Sequence, residues 1–238
     1  MKNIIIITKK ELASYFNSPI AYIFISIFLI VANWLFFESL FLGKQASMRF
    51  YFSLLPWMFL FLAPAITMRL FAEEKKSGTI ETLLTLPISD WEVVLAKFFS
   101  ALIFLVIALA LSLTTAITVG ALGKLDWGPV VGGYIGAILM GAVFIALGSF
   151  ISSFTKNQII ALLIGVALCF ALFIISSSFV LSSVSVPIAK ILSFLGVDSH
   201  FSNIQKGVID SRDIIYYFSF IFIFLWMSVK SLEARKWR

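Results

Sequence analysis

The sequence has very little of what soluble proteins and enzymes commonly use. Of its 238 residues only 13% are charged, and it has one cysteine and one histidine. Cys169 therefore cannot form a disulfide within the chain, and we expect a small apolar core residue. His200 has no second histidine or cysteine with which to bind a metal, so we expect a solvated loop residue. The nucleotide-binding pattern Gly-x-x-x-x-Gly-Lys-Ser/Thr is also absent.

The sequence is instead rich in apolar residues. Hydrophobic residues make up 61% of the chain, 26 residues are phenylalanine, and the mean hydropathy is +1.06. A soluble globule cannot keep so much apolar surface from water, so the solvent of this chain is a lipid bilayer. The net charge of +6 does not indicate nucleic-acid binding, because the basic residues flank apolar runs.

Six segments are long and apolar enough to span a bilayer as helices, since a helix needs about 20 such residues. They are residues 19–42, 51–71, 91–121, 129–153, 158–184 and 213–230. The sequence therefore predicts one all-α, polytopic membrane domain over residues 1–238. Ser89 and Glu92 form a capping-box pattern at the start of the third span.

The distribution of basic residues predicts the orientation of the spans. The N-terminus, the 69–97 region, the 154–157 turn and the C-terminus together hold 12 of the 18 lysines and arginines. The side richer in lysine and arginine is cytoplasmic, so we expect both termini in the cytoplasm. Within residues 3–17 one helical stripe consists of Ile5, Thr8, Leu12, Tyr15 and Phe16, while Lys9, Lys10, Ser14 and Asn17 fall elsewhere. This pattern predicts an amphipathic interfacial helix rather than a frayed tail. The outer loop at 185–212 suits short helices that dip into the membrane.

The charged stretch that follows the second span is the most unusual feature of the chain. We interpret residues 73–86 as one short helix, because Ile80, Leu83 and Leu84 form an apolar stripe. Pro87 ends this helix. The product is a short amphipathic rod fixed to the second and third spans, which would transmit a push on itself to both.

This stretch resembles a block found in the permeases of ABC type-2 transporters. The block consists of Glu73, Gly78, Thr79, Glu81, Leu83, Leu84, Pro87 and Lys97. Together with the segment "KKELASYFNSPIAYIF", it looks closest to the gliding-motility-type branch of that family. The chain has Ala96-Lys97 where many relatives have Gly-Lys.

The resemblance implies a non-catalytic permease subunit of an ATP-driven exporter in a bacterial or archaeal cytoplasmic membrane. Such permeases work as homodimers or heterodimers above two cytoplasmic ATPase subunits, which bind ATP and Mg²⁺. Residues 73–86 would be the coupling helix, with Glu73, Glu74 and Glu81 as polar contacts, Leu83 and Leu84 as anchors, and Gly78 and Thr79 between them. The output would be export of a substrate or mechanical work on an extracytoplasmic partner.

Two other functions remain open from the residues alone. An ATP-independent channel or carrier usually shows rings of charge or broken helix pairs in its spans, and these spans are nearly free of charge. An intramembrane enzyme needs ionisable residues at depth, and the spans offer few. The polar residues that could line a translocation path are Asn33, Glu38, Thr114 and Thr115.

Overall fold

The structure is a computed structural model that describes residues 2–43, 45–80, 87–208 and 210–234. Within these ranges it is helical and contains no β-strand, as predicted for an all-α protein. The helices are α1 (Lys2–Phe16), α2 (Pro19–Gly43), α3 (Arg49–Thr67), α4 (Ala72–Ser77), α5 (Asp90–Leu122), α6 (Trp127–Phe154), α7 (Gln158–Ile174), α8 (Ser178–Ser182), α9 (Val186–Leu195), α10 (Val197–Ile204) and α11 (Ser211–Glu233).

Five helical stretches in the described ranges are long and apolar enough to cross a membrane. They are Pro19–Gly43, Arg49–Ser77, Asp90–Leu122, Trp127–Phe154 and Ser211–Glu233, and each overlaps one predicted span. The remaining prediction, 158–184, does not form one continuous helix, because α7 ends at Ile174. The Ser177 hydroxyl instead accepts a hydrogen bond from the Val180 amide at 3.5 Å and caps α8. A sixth crossing by the 17-residue α7 stays a prediction.

Helix α6 lies at the centre of the bundle and packs against α3, α5, α7, α10 and α11. Its glycines allow this close approach. A Cβ atom added at Gly133 would lie 2.5 Å from the Phe52 ring of α3, and one at Gly148 would overlap Thr67. Small residues thus hold α6 against its neighbours within this chain, as they do where membrane helices cross closely.

Helix α1 packs along α5, so the N-terminal residues are not a frayed tail. The Thr8 hydroxyl donates to the Ala96 carbonyl at 3.1 Å, and the Tyr15 hydroxyl donates to the Ile66 carbonyl at 2.9 Å. Burial raises the pKa of Tyr15, so its hydroxyl remains a donor. Ile5, predicted to share the apolar stripe, is 56% exposed. The other members of the predicted stripe, from Thr8 onward, pack inward.

The two ends of the bundle are built differently. We call the end that holds α1, α4 and the start of α5 the α1 end, and the opposite end, which holds α10, the α10 end. Residues 185–212, predicted to contain short helices, include α9 and α10. Helix α10 packs against α6, α7 and α11, while α9 exposes Val186 and Ile191.

Candidate functional site

The charged stretch after α3 forms a short, sharply bent segment at the α1 end. Helix α4 covers Ala72–Ser77, and the chain turns at Gly78 before Thr79 and Ile80 resume helical geometry. The prediction of one continuous helix over 73–86 is therefore wrong at Gly78. The cause is the glycine itself, which has a φ of 77° and ends α4 in the left-handed region.

Helix α4 is anchored to the end of α6 by hydrogen bonds to serine residues. The Ser152 hydroxyl accepts from the amides of Phe71 at 3.1 Å and Ala72 at 3.2 Å, and it donates to the Met68 carbonyl at 3.1 Å. The Lys75 ammonium donates to the Ser153 carbonyl. That carbonyl lies at the C-terminal end of α6, where a positive charge is favoured. Helix α4 and the residues just before it are therefore bonded directly to the end of α6.

Lys97 of α5 connects three elements at this end. Its side chain is only 1% exposed, and its ammonium lies 2.9 Å from Oε1 of Glu11 in α1 and 2.8 Å from Oε1 of Glu74 in α4. The Phe71 ring centroid lies 5.4 Å from the same ammonium, within the range of a cation–π contact. A buried charge is tolerated only when it is paired, so Lys97 holds α1 and α4 against α5.

A second ion pair stiffens the junction between α3 and α4. Arg69 donates two hydrogen bonds to the Glu73 carboxylate, from Nε at 2.7 Å and from Nη2 at 3.1 Å. This pair is half-exposed, with 31% of the Arg69 side chain and 47% of the Glu73 side chain accessible. Water screens such a pair, so breaking it should cost less than leaving the carboxylates of the buried Lys97 pairs without their cation.

The predicted coupling residues divide into two groups in the structure. Glu73 and Glu74 are paired internally, while Gly78 and Thr79 are exposed, together with Lys76 and Ser77. The other predicted members, Glu81, Leu83 and Leu84, lie outside the described residues. Residues 76–79 are thus exposed on the surface, while Glu73 and Glu74, which precede them in α4, are held by ion pairs.

The residues predicted to line a translocation path are only partly brought together. The Thr115 hydroxyl donates to the Asn33 side-chain carbonyl at 2.5 Å, which links α5 to α2. Asn33 and Glu38 line an open groove on the surface of α2. Thr114 is exposed, and its hydroxyl is bonded to the Leu111 carbonyl of its own helix at 2.9 Å. It does not join the other three.

His200 is buried, so the prediction of a solvated loop residue is wrong. Only 7% of the residue is exposed, and Nδ1 lies 2.6 Å from Oδ1 of Asp213 in α11. Nε2 lies 3.0 Å from the Phe194 carbonyl, and the ring stacks on Tyr216 at a centroid distance of 3.9 Å. Asp213 of α11 and the Phe194 carbonyl of α9 thus supply the partners that water would otherwise provide. Both ring nitrogens are occupied by structural contacts, so the pair joins helices rather than activating a nucleophile.

Sequence reasoning missed two features of the α1 end. Ser152 lies in an apolar helix, and nothing in its neighbourhood marks it as the anchor of a segment 80 residues earlier. Lys97 belongs to the family block, but its pairing with Glu11 joins positions 86 residues apart. One signal in the sequence was available, namely a single lysine near the start of an apolar helix. A cation at that position needs carboxylates from neighbouring elements, so the lysine indicates that such partners exist.

The charged groups of the α1 end pair with one another across α1, the α3–α4 junction, α4 and α5. In the part of the chain that the structure describes, no three His, Cys, Asp or Glu side chains come together to hold a metal ion.

A comparison with protein families agrees with these features. The model of the ABC-2 family transporter protein matches residues 35–230, which is more than half of the chain and includes the whole α3–α5 junction. No curated protein sequence matches the chain. The chain belongs to the ABC-2 transporter family. It is a multi-pass membrane protein and a permease component of an ABC transporter, a role that implies an ABC ATPase partner.

Proposed function

We propose that this chain couples ATP hydrolysis by a separate ATPase to export, or to mechanical work, across a bacterial or archaeal cytoplasmic membrane. The observation that carries the proposal is the position of Lys97. A nearly inaccessible ammonium ties the exposed α4 segment to α1 and to the long helix α5. A force on the segment would then reach the membrane helices without being absorbed by a flexible linker.

The proposed coupling element covers residues 73–86, with Gly78 as a bend rather than the middle of a rod. Its exposed face at 76–79 would meet the ATPase, and Thr79 and Glu81 would make polar contacts there. Leu83 and Leu84 would provide the apolar anchor. Glu73 and Glu74 would hold the segment in place rather than contact the ATPase, because their carboxylates are paired with Arg69 and Lys97.

The remaining topology follows from the same proposal. The α1 end faces the cytoplasm, where lysine and arginine are concentrated, and α1 lies at the membrane surface. Six crossings, with α7 as the shortest, place both termini on that side. Two permease chains, identical or not, form the assembly above two ATPase subunits that bind ATP and Mg²⁺. Asn33, Thr115 and Glu38 are candidates for the polar part of the path, and the gliding-motility-type branch is the proposed subfamily.

The experiment is co-purification of the tagged chain from its native host in mild detergent. ATPase activity of the purified material is measured, and co-purifying proteins are identified by mass spectrometry. We expect a P-loop ATPase with the native chain and loss of both protein and activity with Gly78→Trp. A Cβ at Gly78 meets no other atom within 4 Å, so the bulky ring would project into the proposed docking surface.

Two matched variants separate docking from folding. Gly43→Trp places the same ring at another open position, since a Cβ there also meets nothing within 4 Å. Gly78→Asn keeps a residue that tolerates the left-handed region and adds little bulk. Both should retain the ATPase. Retention of the ATPase by Gly78→Trp, or its absence from the native preparation, would contradict the proposal.

A further inference from the structure

A cavity of about 210 Å³ lies at the α1 end between α1, α2, the end of α3 and α5. One water molecule takes up about 30 Å³ in the liquid, so the space exceeds what a single buried water needs. One side of the cavity is lined by ionic side chains, and the other by Ile20, Phe24 and Phe104. Such a combination fits a ligand with a polar head and an apolar tail.

The ionic side of the cavity is balanced in charge. It is lined by three acidic and three basic side chains, namely Glu11, Glu73, Glu74, Lys10, Arg69 and Lys97. Such a lining favours neither a ligand with net positive charge nor one with net negative charge. It favours a molecule that carries a cation and an anion at once.

Two groups in the lining retain unused hydrogen-bonding capacity. Oε2 of Glu74 is buried and has no hydrogen-bond partner, although Oε1 of the same carboxylate pairs with Lys97. A buried acceptor without a donor is costly, so this oxygen favours a ligand that carries N–H groups. A guanidinium has five N–H donors, and Glu73 accepts from two nitrogens of Arg69, so donors remain for an anion.

The apolar side of the cavity continues onto a membrane-facing surface. Ile20 is 39% exposed, and further along α2 Ile23 is 52% and Ile27 is 55% exposed. These side chains belong to a helix long and apolar enough to cross the bilayer. An acyl chain that leaves the cavity would therefore lie along α2 in contact with the surrounding lipid.

We propose that this cavity binds the headgroup of a zwitterionic phospholipid that carries a primary ammonium, as phosphatidylethanolamine does. The ammonium donates to Oε2 of Glu74, and the phosphate accepts from Arg69 and from Lys10 at the rim. A trimethylammonium group has no N–H to donate, so phosphatidylcholine lacks the first contact. A lipid with net negative charge would face three carboxylates without the compensating ammonium.

The test is native mass spectrometry of the purified full-length chain in detergent with added lipid. Phosphatidylethanolamine, phosphatidylcholine and phosphatidylglycerol with identical acyl chains are compared, and free phosphoethanolamine is added as a soluble competitor. We expect about tenfold preferential retention of phosphatidylethanolamine, the size of one hydrogen bond to a charged group. Equal retention of the three lipids would overturn the proposal. Displacement by an equal concentration of phosphoethanolamine would overturn the assignment to a lipid.

Variants place the lipid in this cavity rather than elsewhere on the surface. Glu74→Gln removes the negative charge and replaces one carboxylate oxygen with an NH2 donor, so it should lose the preference. Ala65→Phe should reduce retention by filling the cavity without changing charge. Glu233→Gln is the matched control, because it neutralises a carboxylate of α11 that does not line the cavity. The proposal is wrong if Glu74→Gln and Ala65→Phe both behave as Glu233→Gln does. The readout involves no ATPase, so its outcome is independent of the coupling proposal.

Discussion

The α1 end and the α10 end of the bundle are both held by buried polar contacts, but of different kinds. At the α1 end, long side chains form ion pairs that join α1, α4 and α5 through Lys97. At the α10 end, a short hydrogen bond and stacked rings join α10 to α11 through His200 and Asp213. The first arrangement joins three helices through one buried cation. The second fixes rings in contact.

The backbone next to these contacts also differs between the two ends. At the α10 end, the hydroxyls of Tyr216 and Tyr217 donate to the carbonyls of Leu195 and Val197 at 2.7 and 3.1 Å, so the α9–α10 turn is bonded directly to α11. At the α1 end, residues 76–79 remain exposed beyond the anchored part of α4. We infer that the α10 end is locked, while the α1 end presents a surface to a partner.

The largest expected effect comes from removing the cation at the α1 end. Lys97→Met leaves the carboxylates of Glu11 and Glu74 without their partner in a largely buried site. We expect the free energy of unfolding to fall by about 3–5 kcal/mol. The measurement is denaturant-induced unfolding in mixed micelles, followed by circular dichroism.

Lys230→Met is the control for that change. Lys230 also pairs with a glutamate, Glu233 at 2.7 Å, but their side chains are 54% and 40% exposed. Its loss should cost at most about 1 kcal/mol. Equal losses for the two lysines would show that Lys97 is not the connecting residue at the α1 end.

How much of each end could be predicted from sequence depends on the distance between partners along the chain. The capping box at Ser89 and Glu92 is confirmed, with both hydrogen bonds at 3.2 Å, because all of its parts lie within one turn. The bend at Gly78 could not be predicted, because glycine permits both a continuous helix over 73–86 and a turn.

Contacts between distant elements could not be predicted in the same way. His200 finds Asp213 only after α10 has folded back onto α11, and nothing in the local pattern signals that return. The end of α7 at Ile174 was missed because the serines that follow continue a weakly polar helix as easily as they start a new one. The membrane spans could be predicted because the length of an apolar segment is a local property of the sequence and requires no contact with another element.

The next largest effect is expected at the α10 end. His200→Ala removes a ring stacked on Tyr216 and leaves Asp213, already 4% exposed, without its donor. We expect a loss of about 2–4 kcal/mol, which combines the ring contact with an unsatisfied buried carboxylate. Asn203→Ala changes an exposed residue of the same helix and should shift stability by less than about 0.5 kcal/mol. Similar values for both variants would mean that α10 is not held through His200.

A smaller effect is expected at the bend that shapes the exposed surface. Gly78→Ala forces a residue with a Cβ into a φ of 77°, and the strain should cost about 1–2 kcal/mol. Gly78→Asn should cost less, since asparagine tolerates this region. Gly43→Ala is the comparison, because α2 ends there and nothing opposes a Cβ. Unfolding in mixed micelles ranks the three variants, and a Gly78→Ala loss no greater than that of Gly43→Ala would argue against the bend.

The smallest effect is expected at the exposed ion pair of the α1 end. The dependence of its contribution on salt concentration distinguishes this pair from the buried Lys97 pairs. Arg69→Gln should cost at most about 1 kcal/mol, because its pair with Glu73 is half-exposed. Raising the ionic strength to about 1 M shortens the Debye length to about 3 Å, so this cost should largely vanish. The cost of Lys97→Met should persist, since ions do not reach a side chain that is 1% exposed. If salt reduced both costs equally, the distinction between a buried connection and a surface pair would not hold.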